Sequence, residues 1–239
     1  MPRNTWMIFL FPFVLFFNDL SYSQSSGNSL DTFLDSVDNL YGTNDMLVNG
    51  YPYRVPNDHI LGHPYYLGDK WMEATLHISG NCFDNQQVKY NVVDNVLILK
   101  ADVKGGSKLL VRTNRLLIDS FRIEDQLFVN ASLILDKDTD PGFYQVIYNG
   151  EVQFIRKFSK QFIRDYGGTS PQGRFSSTDE ERFLIRGDEM QHVNSRWSFI
   201  RSFPKAKRKA IRRYLRRHSV RYSRADFEEL VDLSKFCFN

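Results

Sequence analysis

The sequence predicts a mainly β protein: an antiparallel β sandwich or barrel-like domain followed by a C-terminal helical hairpin. Three observations carry this. Between residues 73 and 135, runs of alternating apolar residues recur about every ten positions, each bounded by turn chemistry. In GFYQVIYNGEVQFIRKF, residues 142–158, Asn149-Gly150 separates two more such runs, a strong short-range hairpin signal. From Trp197 onward the apolar period lengthens from two to between three and four, as a helix requires. Aromatic residues make up 15% of the chain, mostly Phe and Tyr, and these favour strands.

The elements follow in chain order. Arg3 is the only charge before Asp19, and WMIFLFPFVLFF, Trp6 to Phe17, lies between them. A positive start, an apolar run and Ser21-Tyr22-Ser23 are the parts of a signal peptide over residues 1–23, cut before Gln24. Twelve helical residues at about 1.5 Å each fall short of the ~30 Å hydrocarbon core, and Pro12 interrupts them. Residues 24–45 form a polar arm or short helix, with Leu30, Phe33, Leu34, Val37 and Leu40 at helical spacing.

The β domain spans residues 46–193. In EATLHIS, residues 73–79, Ala74, Leu76 and Ile78 face one way and Glu73, Thr75 and His77 the other. VKYNVV repeats the pattern. NVLILKAD is apolar on both faces, as a central strand would be, and SKLLVRT, LIDSFRI and QLFVNASLIL follow. About eight to ten strands are expected. The hairpin register pairs Tyr148 with Glu151, Ile147 with Val152 and Gln145 with Phe154, with positive φ at Asn149 and Gly150. Residues 165–180, rich in Gly, Ser and Pro, read as a loop, and RFLIRG, residues 182–187, as a last strand or turn.

The helical pair occupies residues 197–239. KAKRKAIRRYLRRH, residues 205–218, holds eight Lys or Arg among fourteen residues and no acid. Ala210, Ile211, Tyr214 and Leu215 form a narrow apolar stripe on it, through which the helix should dock with its charges left in water. Ser223 reads as the cap of a second helix, whose apolar face is Phe227, Leu230, Val231 and Leu233. The chain carries a net charge of +3. Residues 205–224 alone hold ten cations, so the remainder is net acidic. That asymmetry points to docking on an acidic surface or to a polyanionic partner. Export removes most of the case for nucleic acid.

Motifs that carry chemistry are sparse. His59 and His63 stand four apart in DHILGHPYY, beside Asp58, a spacing that suits a metal only on a helix, which Gly62 and Pro64 oppose. Asp136, Asp138 and Asp140 resemble the start of a calcium loop, but its twelfth position is Ile147 rather than Glu. There is no G-x-S-x-G and no phosphate-cradling glycine loop. Tyr51, Tyr53, Tyr65, Tyr66 and Trp71 crowd one segment, as a stacking platform for a ligand or as the closure of one end of the β domain. Lys205, Lys209, Arg212, Arg213, Arg216 and Arg217 are the candidate polyanion contacts. Cys82 and Cys237 are the only cysteines, and their spacing leaves a disulfide open. Two cysteines exclude a four-cysteine zinc site.

GHPYYLGDKWMEATLHISGNCFDNQQVKYNVVDNVLIL, the GFYQVIYNGEVQFIRKF hairpin and the ending YLRRHSVRYSRADFEELVDLSKFC together resemble a family of small exported β-rich proteins of Bacteroidetes. The resemblance covers most of residues 50–236. It implies export, a β-rich body and a paired helical tail. That family has no established activity, so no residue acquires a role from it. Arg crowds this tail where the family pattern mixes Lys and polar residues.

The reading is a periplasmic or secreted protein of the cell envelope, a non-catalytic binding or structural module without a cofactor. Two other readings stand beside it. One is a hydrolase or metal-dependent enzyme whose site is built from loops. The other is contact with an envelope polyanion or anionic lipid through the basic helix.

Overall fold

The computed structural model describes residues 47, 49–57, 59–103, 107–135, 142–164 and 171–238. The expected signal peptide, the arm at 24–45 and the Asp136, Asp138, Asp140 triad lie outside these residues.

The body is mainly β and antiparallel. Thirteen strands are found among the described residues, more than the eight to ten expected, because several are only two to four residues long. They are β1 (Gly50–Pro52), β2 (Met72–Ile78), β3 (Asn81–Asn91), β4 (Val96–Val103), β5 (Ser107–Thr113), β6 (Ile118–Ile123) and β7 (Gln126–Asn130). β8 (Phe143–Tyr148), β9 (Val152–Ser159), β10 (Phe162–Ile163), β11 (Arg174–Phe175), β12 (Asp179–Arg186) and β13 (Glu189–His192) follow. Eleven form one sheet in the order β1-β5-β4-β3-β2-β6-β7-β8-β9-β12-β13. β1 and β13 close its two edges without pairing with each other, so the sheet is not a closed barrel. Both edge strands are short, which limits unwanted pairing. β10 and β11 form a separate two-stranded ribbon. The expected loop at 165–180 is therefore interrupted by β11 and ends where β12 begins, at Asp179.

The turns differ from expectation in one respect. β8 and β9 do form a hairpin, but Asn149 and Gly150 do not adopt positive φ. A register shift beside Ile147 pairs Tyr148 with Phe154 and Gln145 with Arg156, and Glu151 joins the loop. Gly150 serves there by close approach: a Cβ would stand 2.8 Å from Tyr148 Cε1. Among the described hairpins, a two-residue turn with positive φ at both positions is found at Ser79-Gly80, between Ile78 and Asn81.

The alternation read from the sequence sorts the faces. In β2, Met72, Ala74, Leu76 and Ile78 are buried, while Glu73 and His77 are exposed. One face of the sheet gathers Leu76, Val88, Tyr90, Leu97, Leu99, Phe121, Phe128, Phe143 and Phe158 into a single aromatic-rich core. Phe121 and Phe128 stack at 4.7 Å, and Tyr90 meets both edge-on. β4 is buried on both sides because Tyr65, with Tyr53 and Trp71, covers Val96 and Ile98 from the other face.

The helices extend this core under the later strands. α1 (Arg196–Arg201), α2 (Lys205–Arg217) and α3 (Phe227–Phe238) bring Phe199, Ile200, Ile211, Leu215, Leu230 and Leu233 against Ile147, Phe154, Leu184 and Val193. α1 begins in a capping box between Ser195 and Ser198. The cap of α3 is not Ser223, which lies in a short 3-10 turn, Tyr222–Arg224. Asp226 accepts a hydrogen bond from Glu229 N (2.9 Å), and the Glu229 carboxylate accepts one from Asp226 N (3.1 Å). This reciprocal pair replaces the expected cap one turn later. Ile211 and Leu215 of α2 are buried and Tyr214 half-buried, whereas Ala210 is exposed, so the docking stripe is narrower than the spacing suggests. No helix among the described residues is long and apolar enough to cross a membrane.

Cys82 is exposed on β3, Cys237 is buried in α3, and both are free. Burial pushes the Cys237 thiol up to about 12.

Candidate functional site

The inward alternation of the sheet is broken by polar residues at one level. Across β7, β8, β9 and β12 the register places Phe128, Gln145, Arg156 and Arg182 in one row. Gln145 lies in phase with buried Phe143, Arg156 between Phe154 and Phe158, and Arg182 two residues before Leu184. These side chains point the same way as the core, between the aromatic cluster on one side and the helix-covered cluster on the other. An unpaired charge in such a place is costly, so each must find partners.

They do. Tyr66 donates its hydroxyl proton to Gln126 Oε1 (2.7 Å), and Gln145 Nε2 donates to the same oxygen (2.5 Å). Arg156 Nε donates to Gln145 Oε1, and its Nη1 to Glu180 Oε2 (3.3 Å). Arg182 Nε donates to the other oxygen of Glu180, its Nη1 to the carbonyl of Tyr222, and its Nη2 to that of Ala225 (3.5 Å). Glu180 thus bridges two buried guanidinium groups, and Arg182 fastens the 3-10 turn before α3 to the sheet. Among the described residues no buried side-chain nitrogen or oxygen lacks a partner. Burial holds the Arg156 guanidinium below its ordinary range, against the pull of Glu180. Burial likewise raises the Tyr66 hydroxyl.

This belt forms the floor of a cleft of about 880 Å³. One wall is the segment His63–Gly68, the second is Phe158 and Lys160 at the end of β9, and the third is Ser177–Glu180 with the first turn of α3. The His63 segment is fixed at both ends. Tyr66 N donates to Tyr90 O (2.8 Å) and Val92 N to Pro64 O (2.9 Å), while Leu61 pairs with Gly173 and Phe175. Lys160 Nζ donates to the carbonyls of His63 (2.9 Å) and Tyr65 (3.1 Å) and lies 3.4 Å from His63 Nδ1. Burial lowers the Lys160 ammonium. Burial first, then Lys160, holds the His63 imidazole below its ordinary value. The cleft is thus lined by charges of both signs, Arg156 and Lys160 together with Glu180, Asp226 and Glu228.

The residues singled out in the sequence fall in different places. His63 reaches the cleft, whereas His59 is exposed and does not line it. No group of three or more His, Cys, Asp or Glu able to hold a metal exists among the described residues. The five aromatics do not form one platform. Tyr51 is exposed on β1, Tyr53 and Tyr65 join through their hydroxyls (3.1 Å) over β4, and Trp71 stacks beneath Lys89 (4.9 Å). Tyr66 enters the core instead, and only Tyr65 and Tyr66 line the cleft. The six basic candidates of α2 are all exposed on its surface.

Gln126, Gln145, Arg156, Glu180 and Arg182 were missed by motif reasoning. A signal existed: Gln145 in FYQVIY and Arg156 in FIRKF occupy the buried phase of their strands, where a polar residue is anomalous.

Comparison with protein-family models, with curated proteins and with solved structures finds no match to this chain.

Proposed function

We propose that the chain is an exported, non-catalytic binding protein of the cell envelope, and that its ligand is a small polar molecule seated in the cleft above the Tyr66–Arg156–Glu180 belt. The observation that carries this reading is the cleft itself. Its floor is a closed hydrogen-bonded network, and its walls come from three distant parts of the chain. A site held this firmly before the ligand arrives has little ordering left to do on binding.

The chemistry favours binding over turnover. Glu180 is committed to two guanidinium groups and Lys160 to two carbonyls. Among the described residues neither forms a hydrogen bond to a Ser or Cys side chain that it could activate as a base. The lining offers hydroxyls at Ser177, Thr178 and Tyr66, charges of both signs, and apolar contact from Phe158 and Phe227. Such a lining suits an amino acid, a short peptide or a sugar acid, with its anionic group toward Lys160 and its donors toward Asp226 and Glu228. The apolar segment before Asp19 and the resemblance to exported Bacteroidetes proteins support the compartment.

Native mass spectrometry of the protein isolated from its own cells, followed by thermal-shift measurements with amino acids, dipeptides and sugar acids, tests the reading. One of these classes should raise the melting temperature, remain chemically unchanged on incubation, and lose its effect in Tyr66→Phe or Lys160→Met. Conversion of the ligand would replace binding with catalysis. A ligand whose shift survives both substitutions would move the site elsewhere.

A further inference from the structure

We infer that the outer face of α2, flanked by Trp197 and Phe236, is a docking surface for an anionic lipid bilayer. This does not rest on the cleft. With 3.6 residues per turn, Lys205, Lys209, Arg213, Arg216 and Arg217 lie on the arc opposite buried Ile211 and Leu215, and all five are exposed. The helix is 13 residues long, so this strip of charge runs about 20 Å along the surface.

The strip is not compensated from within. Among the described residues no carboxylate lies within 4.0 Å of any Lys or Arg of α2. The docking on an acidic surface that the charge asymmetry suggested is therefore not what holds the helix, which sits on its apolar stripe instead. Lys207 and Arg208 do bond to backbone carbonyls at the edge of the helix (3.3 and 2.7 Å). Arg216 bonds to the carbonyl of Arg212 (3.4 Å), and the strip cations opposite the stripe form no ion pair among the described residues.

Local stability explains only part of the strip: Arg216 and Arg217 stand in the last turn, where the helix dipole favours cations. Lys205 stands at the first position of the helix, where the dipole disfavours positive charge, with no acid in the first turn and no side-chain cap from Pro204. No carboxylate among the described residues offsets that charge, and such a departure from local rules is expected at a functional face.

The flanks select the kind of polyanion. Trp197 is 65% exposed, with the Arg201 guanidinium 4.6 Å from its ring. It borders a depression shared with Arg208 and Arg212. On the other flank Phe236 is 45% exposed and stacks on Tyr214 at 4.4 Å, beside Arg213 and Arg217. Exposed large aromatics beside Lys and Arg match the boundary between head groups and acyl chains, where an amphipathic ring gains from both sides. A sulfated or carboxylated polysaccharide would use the cations but would not need rings on both flanks.

Vesicle sedimentation tests this. The protein isolated from its own cells is mixed with vesicles of phosphatidylcholine alone or of equal parts phosphatidylcholine and phosphatidylglycerol. The signal is the excess binding to the anionic vesicles, which removes any contribution of other apolar segments. That excess should fall steeply as salt is raised, since surface charge is screened within about a nanometre at ordinary ionic strength. Joint replacement of Lys205, Lys209, Arg213 and Arg216 by Gln should lower it at least tenfold, because each cation near an anionic leaflet contributes a several-fold factor. Trp197→Ala should lower it a few-fold while leaving adsorption to dextran sulfate unchanged. Equal binding of the unaltered protein to both vesicle types overturns the inference without recourse to any variant. Dextran sulfate binding lost in the charge variant, together with vesicle binding indifferent to Trp197→Ala, would assign the face to a polysaccharide.

Discussion

Arginine serves two opposite ends in this molecule. Arg156 and Arg182 lie inside, 5% and 3% exposed, each held by a shared carboxylate and by amide or carbonyl oxygens. The arginines facing outward from α2 lie in water and pair with no carboxylate among the described residues. Inside, the charge has no water to fall back on, so it is tied into a network that fixes β9, β12 and the entry to α3 relative to one another. Outside, solvent screens the charge, and the helix is held by Ile211 and Leu215 instead. Buried charge of this kind organises the fold at some energetic risk, whereas exposed charge barely affects stability and projects a field outward.

That contrast is open to direct attack, most severely at the belt. Arg182→Met should destabilise the protein by about 2–4 kcal/mol, because it removes one of the two guanidinium partners of Glu180, unties the Ala225 carbonyl and leaves Tyr222 O with only its backbone bond. Denaturant melts would show this, and a loss below about 1 kcal/mol would mean the belt is wetter and looser than its burial indicates. Next is the apolar support of α2. Leu215→Ala should cost about 3 kcal/mol from lost burial and the cavity left behind. Removing the cap of α3 is milder: Asp226→Ala should cost about 1 kcal/mol, whereas Ser223→Ala should be nearly silent.

At the weak end, changing Arg212 and Arg216 together to Gln should shift stability by no more than about 0.5 kcal/mol. If that pair proves costlier than Leu215→Ala, charge holds the helix after all. The smallest effect is the titration of His63. Its folded pKa is lowered, so below the ordinary histidine value of about 6.5 the unfolded chain binds more protons than the folded one. Stability is therefore lost as pH falls from about 6.5 through the folded pKa. His63→Gln should remove this part of the difference between melts at neutral and mildly acidic pH, and an unchanged difference would assign the acid sensitivity to other groups.

Much of the fold was legible. β2 is buried at every second residue as its alternation requires, β4 is buried on both faces, and the helical period after Trp197 becomes α1 to α3. The hairpin between β8 and β9 was legible as a hairpin but not in its register. β8 bulges at Ile147 and is packed on both faces, Ile147 on one and Tyr144 on the other, which Asn149-Gly150 cannot report. The site was less legible. The histidine pair and the aromatic crowd drew the eye because they lie close together in sequence. The belt draws instead on positions 66, 126, 145, 156, 180 and 182, which become neighbours only across strands.

By itself the sequence determined what local physics decides: the alternation that makes strands, the period that makes helices, and the segregation of cations onto residues 205–224. Tertiary structure alone decided which arginines are buried, which cap starts α3, and that Lys160 meets the carbonyls of His63 and Tyr65. The reason is that burial is a property of what lies above a residue, and here that cover comes from chain up to 97 positions away. A side chain's type fixes what it costs to bury, but only the packing of distant segments determines whether that cost arises.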